Sequence, residues 1–106
     1  IVSTSNANID IVPHGTGDVT LQADMVQIGS SGEDVRLTTN GTGNLKLDTN
    51  GGTNSGEITI YDGVNGDIEV APNGTGEIRL ETSFLRVGKT GGSVAFITDG
   101  DTSGQA

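Results

Sequence analysis

The stretch that decides the fold is residues 72–80, which read PNGTGEIRL. A near copy, PHGTGDVTL, occupies residues 13–21, and the Gly-Thr-Gly string recurs at residues 41–43. In each copy the glycine-rich string is followed, after one residue, by two apolar residues separated by one polar residue. This order predicts a corner that leads into a short β-strand with one apolar face, because successive side chains of a strand point to opposite faces.

The apolar-polar-apolar pattern occurs ten times along the chain. Nine of the ten middle residues are polar, and four of the five basic residues are among them, so we expect the middle positions to face solvent. No helical periodicity of 3.6 residues accompanies it, and the pattern predicts an all-β fold. The apolar pairs are Ile9/Ile11, Val19/Leu21, Val26/Ile28, Val35/Leu37, Leu45/Leu47, Ile58/Ile60, Ile68/Val70, Ile78/Leu80, Leu85/Val87 and Val94/Phe96.

A longer repeat relates the two ends of the chain. With a shift of 59 residues, Pro13 aligns with Pro72, Met25 with Phe84, and the first Gly-Thr-Gly string with the third, without a gap. The strand middles are spaced by 10, 7 and 9 residues in both copies, so three strands take about 26–33 residues. This spacing predicts a triangular coil with about three strands per turn and a glycine-rich corner between strands.

The amino-acid composition excludes several classes of protein and of binding site. Apolar residues make up 31% of the 106 residues, 18 residues are glycine, and cysteine is absent, which excludes disulfides and cysteine-based metal sites. The net charge of -9 argues against a nucleic-acid partner, because phosphate binding needs clustered basic residues. No apolar run approaches the roughly 20 residues of a membrane helix, so we expect no membrane insertion.

About two inward side chains per strand make a thin core for one chain. Three chains around one threefold axis would share that core and pair their open strand edges. We therefore expect a homotrimeric, triangular β-helix or β-prism-like shaft, with a single-chain β-solenoid as the alternative. We expect residues 1–106 to be a single repetitive β-fibre domain cut from a longer protein, with residues 98–106 linking to the next module.

The strings at residues 13–21 and 72–80 resemble the repeats of bacteriophage tail fibres and related virion appendages, most closely those of marine phages. The resemblance extends over most of residues 8–106. It implies an elongated, stable, trimeric shaft on the virion, outside the cell, which joins neighbouring fibre modules and supports host attachment. It implies no catalytic residues, and we expect no enzyme activity.

Motifs for ligand chemistry are weak in this chain. The Gly-Thr-Gly strings lack the remainder of a nucleotide-binding fingerprint. A calcium β-roll needs aspartate two residues after the last glycine, where this chain has Val19, Leu45 and Ile78. His14, the single histidine, is interpreted as a polar corner residue; its alternative is an ion site on a threefold axis. We therefore assign no catalytic, cofactor-binding or metal-binding residue and expect no cofactor.

Two alternatives to a phage shaft are compatible with the same repetitive β-structure. The first is an adhesin module that binds a host cell-surface glycan or receptor through an exposed corner such as Thr49–Gly56, the longest loop between strands, with Tyr61 nearby. The second is the stalk of a bacterial surface adhesin, which only its gene context would separate from a phage fibre.

Overall fold

The computed structural model describes residues 1–98. The predicted linker at residues 98–106 therefore lies, except for Thr98, outside the described residues. The chain divides into two compact units, Ile1–Thr38 and Thr39–Ala106, which are described separately. The expectation of one repetitive domain stays a prediction.

The second unit contains a small antiparallel sheet. Its strands are β1 (Leu45–Leu47), β2 (Glu57–Ile60) and β3 (Ile68–Ala71), and they lie side by side in the order β1-β2-β3. A single 3-10 turn, Asn50–Gly52, lies between β1 and β2. Residues 1–98 are mostly non-helical, and the sheet agrees with the all-β class predicted from the alternation.

The register of the sheet brings the predicted inner residues onto one face. Leu45 lies opposite Ile60, and Leu47 lies opposite Ile58. Ile58 and Ile60 in turn lie opposite Val70 and Ile68 of β3. Because directly opposed residues of antiparallel strands share a face, we define the apolar face as these six side chains. The period-two prediction is confirmed for these three strands.

The other seven apolar pairs lie outside the three strands of residues 1–98. A strand is stabilised by backbone hydrogen bonds to a neighbour. In the first unit, the backbone hydrogen bonds found lie at turns, as at His14–Gly17 and Ser30–Glu33. The strand pairing found within residues 1–98 is that of one three-stranded sheet. The triangular β-helix and the single-chain solenoid stay predictions.

The turns follow the 59-residue repeat. Three backbone hydrogen bonds that close four-residue turns in the first unit each have a counterpart 59 positions later. The related turns are Thr4–Ala7 and Gly63–Gly66, His14–Gly17 and Asn73–Gly76, and Ser30–Glu33 and Lys89–Gly92. The repeat predicted from the sequence is thus present in the backbone at three corners.

Glycine conformation is also repeated. Gly29 and Gly88, which are 59 residues apart, have φ of 94° and 118°. A Cβ atom at Gly29 would clash with Val35, and one at Gly88 would lie 2.8 Å from Cγ2 of Val94. Both positions therefore require glycine, because other residues rarely adopt this backbone conformation and because a side chain would have no space. The valine that limits the space, Val35 or Val94, is also repeated after 59 residues.

Replacing Gly88 with alanine is expected to lower the free energy of unfolding by about 1–3 kcal/mol, because the new methyl group combines backbone strain with a clash against Val94. The measurement is urea denaturation followed by circular dichroism at fixed chain concentration. Gly43→Ala is the matched control, since its Cβ would meet nothing within 4 Å. Equal losses in the two variants would contradict this account.

Candidate functional site

The apolar face of the sheet is open to solvent. Ile58, in the central strand, is 41% exposed, and Ile68 at the edge is 71% exposed. No hydrophobic residue of the described range 1–98 is buried. Burial of apolar surface is the main force that stabilises folded proteins, so this face is the largest unused source of stability in the sheet.

The opposite face carries the charges. Lys46 lies opposite Thr59, which lies opposite Glu69. The ammonium group of Lys46 donates a hydrogen bond to Glu57 Oε2 at 2.8 Å, and the Tyr61 hydroxyl donates to Glu69 Oε2 at 3.5 Å. The hydrogen bond to Glu57 and the negative charge of that carboxylate raise the pKa of Lys46. We call this surface the polar face.

Thr59 corrects one expectation from the sequence. As a middle residue it was expected to face solvent, yet it is 2% exposed and is the only residue buried within residues 1–98. It lies in the central strand, with longer side chains beside it on both neighbours. Its Oγ1 is buried without a hydrogen-bond partner. The alternation predicted its face correctly, but strand order determined its burial.

A groove of about 380 Å³ opens at one end of the sheet. Its apolar lining includes Leu47, Ile58 and Val70, which belong to the apolar face, together with Ile78 from the segment after β3. Three carboxylate residues, Asp48, Glu57 and Glu77, also line it. The surface of the groove is almost wholly apolar, and these acidic residues are among those that surround it. The sequence pattern did not predict the groove because it depends on the sheet register.

Gly56 allows the loop before β2 to approach the end of β3 closely at this groove. A Cβ atom at Gly56 would lie 3.0 Å from the carbonyl oxygen of Ala71 and 3.3 Å from Cα of Pro72. Both of these neighbours are backbone atoms, which move less readily than the end of a side chain. A side chain at this position would therefore require the backbone of Ala71 and Pro72 to shift by a few tenths of an ångström.

The loop Thr49–Gly56 is held together by its own side chains. The Ser55 hydroxyl accepts hydrogen bonds from the Thr49 amide at 2.8 Å and the Thr49 hydroxyl at 2.9 Å, and donates to the Gly56 carbonyl at 2.6 Å. The loop precedes β2, whereas Tyr61 follows the last residue of β2, Ile60. All of β2 therefore lies between the loop and Tyr61, and a shared binding surface stays a prediction.

His14 lies at a corner, as interpreted from the sequence. Its backbone carbonyl accepts a hydrogen bond from the Gly17 amide at 3.3 Å, and its side chain is exposed. The repeat-related Asn73 carbonyl accepts the equivalent bond from Gly76 at 2.9 Å. Within residues 1–98 no three His, Asp or Glu side chains form a group that could hold a metal ion.

Comparison with protein-family models, curated proteins and solved structures gives no match to this chain. Among residues 1–98, no helix is long and apolar enough to cross a membrane.

Replacing Thr59 with valine is expected to raise the free energy of unfolding by about 1–2 kcal/mol, because it removes a buried hydroxyl that lacks a partner and keeps the shape of the side chain. Urea denaturation measures the change. Thr20→Val is the control, because Thr20 is also a middle residue but is exposed, and its change is expected to be near zero. A loss of stability at Thr59 would mean that its hydroxyl has a partner.

Proposed function

We propose that this chain is a segment of the shaft of a homotrimeric bacteriophage tail fibre or spike, a structural part of the virion that supports host attachment from outside the cell. The single observation that carries the proposal is that no hydrophobic residue among residues 1–98 is buried, although apolar residues recur with period two. A chain with this pattern and no core of its own needs other chains to cover its apolar residues.

The exposed area supports the same proposal. A folded monomeric protein of 10.7 kDa exposes about 5,500 Å², whereas this chain exposes 10451 Å². The excess of roughly 5,000 Å² means that the chain leaves far more surface in water than a folded monomer of its mass, and partner chains would cover part of that surface.

The distribution of charge is compatible with chains that meet at their apolar faces. The six side chains of the apolar face carry no charge, while Lys46, Glu57 and Glu69 lie on the polar face of the same sheet. Chains with a net charge of -9 would repel one another if their acidic surfaces met. In the proposed shaft the apolar faces point to the common axis and the charged faces remain in water.

The repeat supports an elongated structure with a mechanical role. Corner turns recur at 59-residue intervals, as stacked units of a repetitive rod require. The resemblance of residues 13–21 and 72–80 to phage fibre repeats supplies the virion context. In this proposal the chain joins neighbouring fibre modules and performs no catalysis.

The molar mass in solution tests the proposal most directly. Light scattering on a size-exclusion column is expected to give about 32 kDa, three times the 10.7 kDa of one chain. A folded species at 10.7 kDa would overturn the trimer and favour a single-chain solenoid.

Replacing Ile78 with aspartate is expected to abolish the trimer, because three carboxylates would be brought close to the axis without partners. The matched control is Arg79→Ala, one residue further on, which removes an exposed ion pair with Glu81 and is expected to leave the mass unchanged. Light scattering of both variants makes the comparison. An Ile78→Asp trimer of unchanged stability would show that Ile78 does not face the axis.

A further inference from the structure

Phe84 is the most exposed aromatic residue of the described chain, with 92% of its surface in solvent. A small local turn fixes the backbone that carries it. The Thr82 hydroxyl accepts a hydrogen bond from the Phe84 amide at 3.3 Å and donates one to the Phe84 carbonyl at 3.0 Å. A large apolar side chain is thus presented on an ordered backbone, which reduces the entropy lost on binding.

The groove at the end of the sheet is large enough for this side chain. An apolar cavity of about 150 Å³ is sufficient to hold a benzene ring, and the groove measures about 380 Å³. Leu47, Ile58, Val70 and Ile78 supply its apolar lining. Since Phe84 is exposed, its own chain does not seat it in this groove.

Charge complementarity indicates that Arg86 binds together with the Phe84 ring. Arg86 is two residues after Phe84 and therefore shares its face in an extended segment. Arg86 makes no ion pair within residues 1–98, and neither do Asp48 and Glu77 beside the groove, whereas Glu57 is paired with Lys46. An unpaired cation next to an apolar side chain matches two unpaired anions next to an apolar groove.

We propose that the segment Phe84–Arg86 of one copy docks in the groove of a second copy, with the Phe84 ring against Leu47, Ile58, Val70 and Ile78, and the Arg86 guanidinium between the carboxylates of Asp48 and Glu77. The inference rests on the proposed homotrimer and names a contact that holds it together. We call the segment Phe84–Arg86 the knob. The knob and the groove are different surfaces of the same chain, so the contact is heterologous. Three such contacts close into a ring under threefold symmetry.

The contact uses only one end of the apolar face. Leu47, Ile58 and Val70 lie across from one another at the groove, whereas Leu45, Ile60 and Ile68 lie across from one another at the other end of the sheet. The second row therefore stays available for contacts at the axis while the first receives the Phe84 ring of a neighbour.

Disulfide trapping between two different variants tests the contact. The chain has no cysteine, so a Ser83→Cys chain and an Ala71→Cys chain of distinguishable size, refolded together, have one thiol each. Ser83 adjoins the knob and leaves Phe84 in place, and Ala71 lines the groove. We expect a mixed disulfide to be the main cross-linked product, because a disulfide requires Cα atoms within about 7 Å. The control pairs Ser93→Cys with Ala71→Cys and is expected to give several-fold less.

Charge reversal provides a second, independent test. Arg86→Glu is expected to raise the concentration at which the trimer dissociates by about tenfold or more, as loss of a buried charge pair does. Adding Glu77→Arg to the same chain is expected to restore most of the assembly. Arg36→Glu is the matched control, because Arg36 also makes no ion pair within residues 1–98, and it is expected to have little effect.

The outcomes separate this inference from the proposed function. A trimeric mass without the mixed disulfide, and with Arg86→Glu equal to Arg36→Glu, would overturn the docking contact and leave the shaft proposal standing. A monomeric mass for the unmodified chain would overturn both. A mixed disulfide together with rescue by Glu77→Arg would establish the contact.

Discussion

The structure depends on one constraint, which is that a β-strand is stabilised where its backbone groups pair with a neighbouring strand and its apolar side chains are removed from water. Three short strands of this chain satisfy part of that requirement by pairing with one another. The apolar face of that sheet remains uncovered, and no hydrophobic residue within residues 1–98 is buried. We propose the trimer because the strands pair while their apolar face stays exposed, and other copies of the chain are the simplest means of burying that face.

In the proposed assembly, the polar face of the sheet keeps the protein soluble and the apolar face contacts other chains. Cross-strand pairing of Lys46 with Glu57, and of Tyr61 with Glu69, organises the polar face without burying charge. Burial of the uncharged apolar face costs little in desolvation and contributes about 25 cal/mol of stabilising free energy for each Å² removed from water. This attraction is not specific to one partner surface. In the proposed shaft the knob at Phe84 makes the association specific, since Arg86 restricts where the aromatic ring can bind.

Much of the local structure could be predicted from residue order. Period-two spacing placed Leu45, Leu47, Ile58 and Ile60 on one face, and the register confirms that placement. The 59-residue repeat predicted equivalent corners, and the turns at His14–Gly17 and Asn73–Gly76 are equivalent. Seven of the ten predicted strands have no strand partner within the described residues. Local spacing specifies which residues could share a face, but a ladder also needs a neighbouring backbone.

The sequence by itself determined the alternation, the corner positions and the repeat, because each depends on residues that are close together in the chain. Only the tertiary structure decided that Thr59 is buried while Ile58 beside it is open, that Tyr61 and the loop Thr49–Gly56 lie at opposite ends of β2, and that Ile78 joins three strands in one groove. These features depend on strand order and register, which bring together residues up to 31 positions apart, from Leu47 to Ile78. Spacing along the chain does not encode such distances directly, so they emerge only when the strands pair.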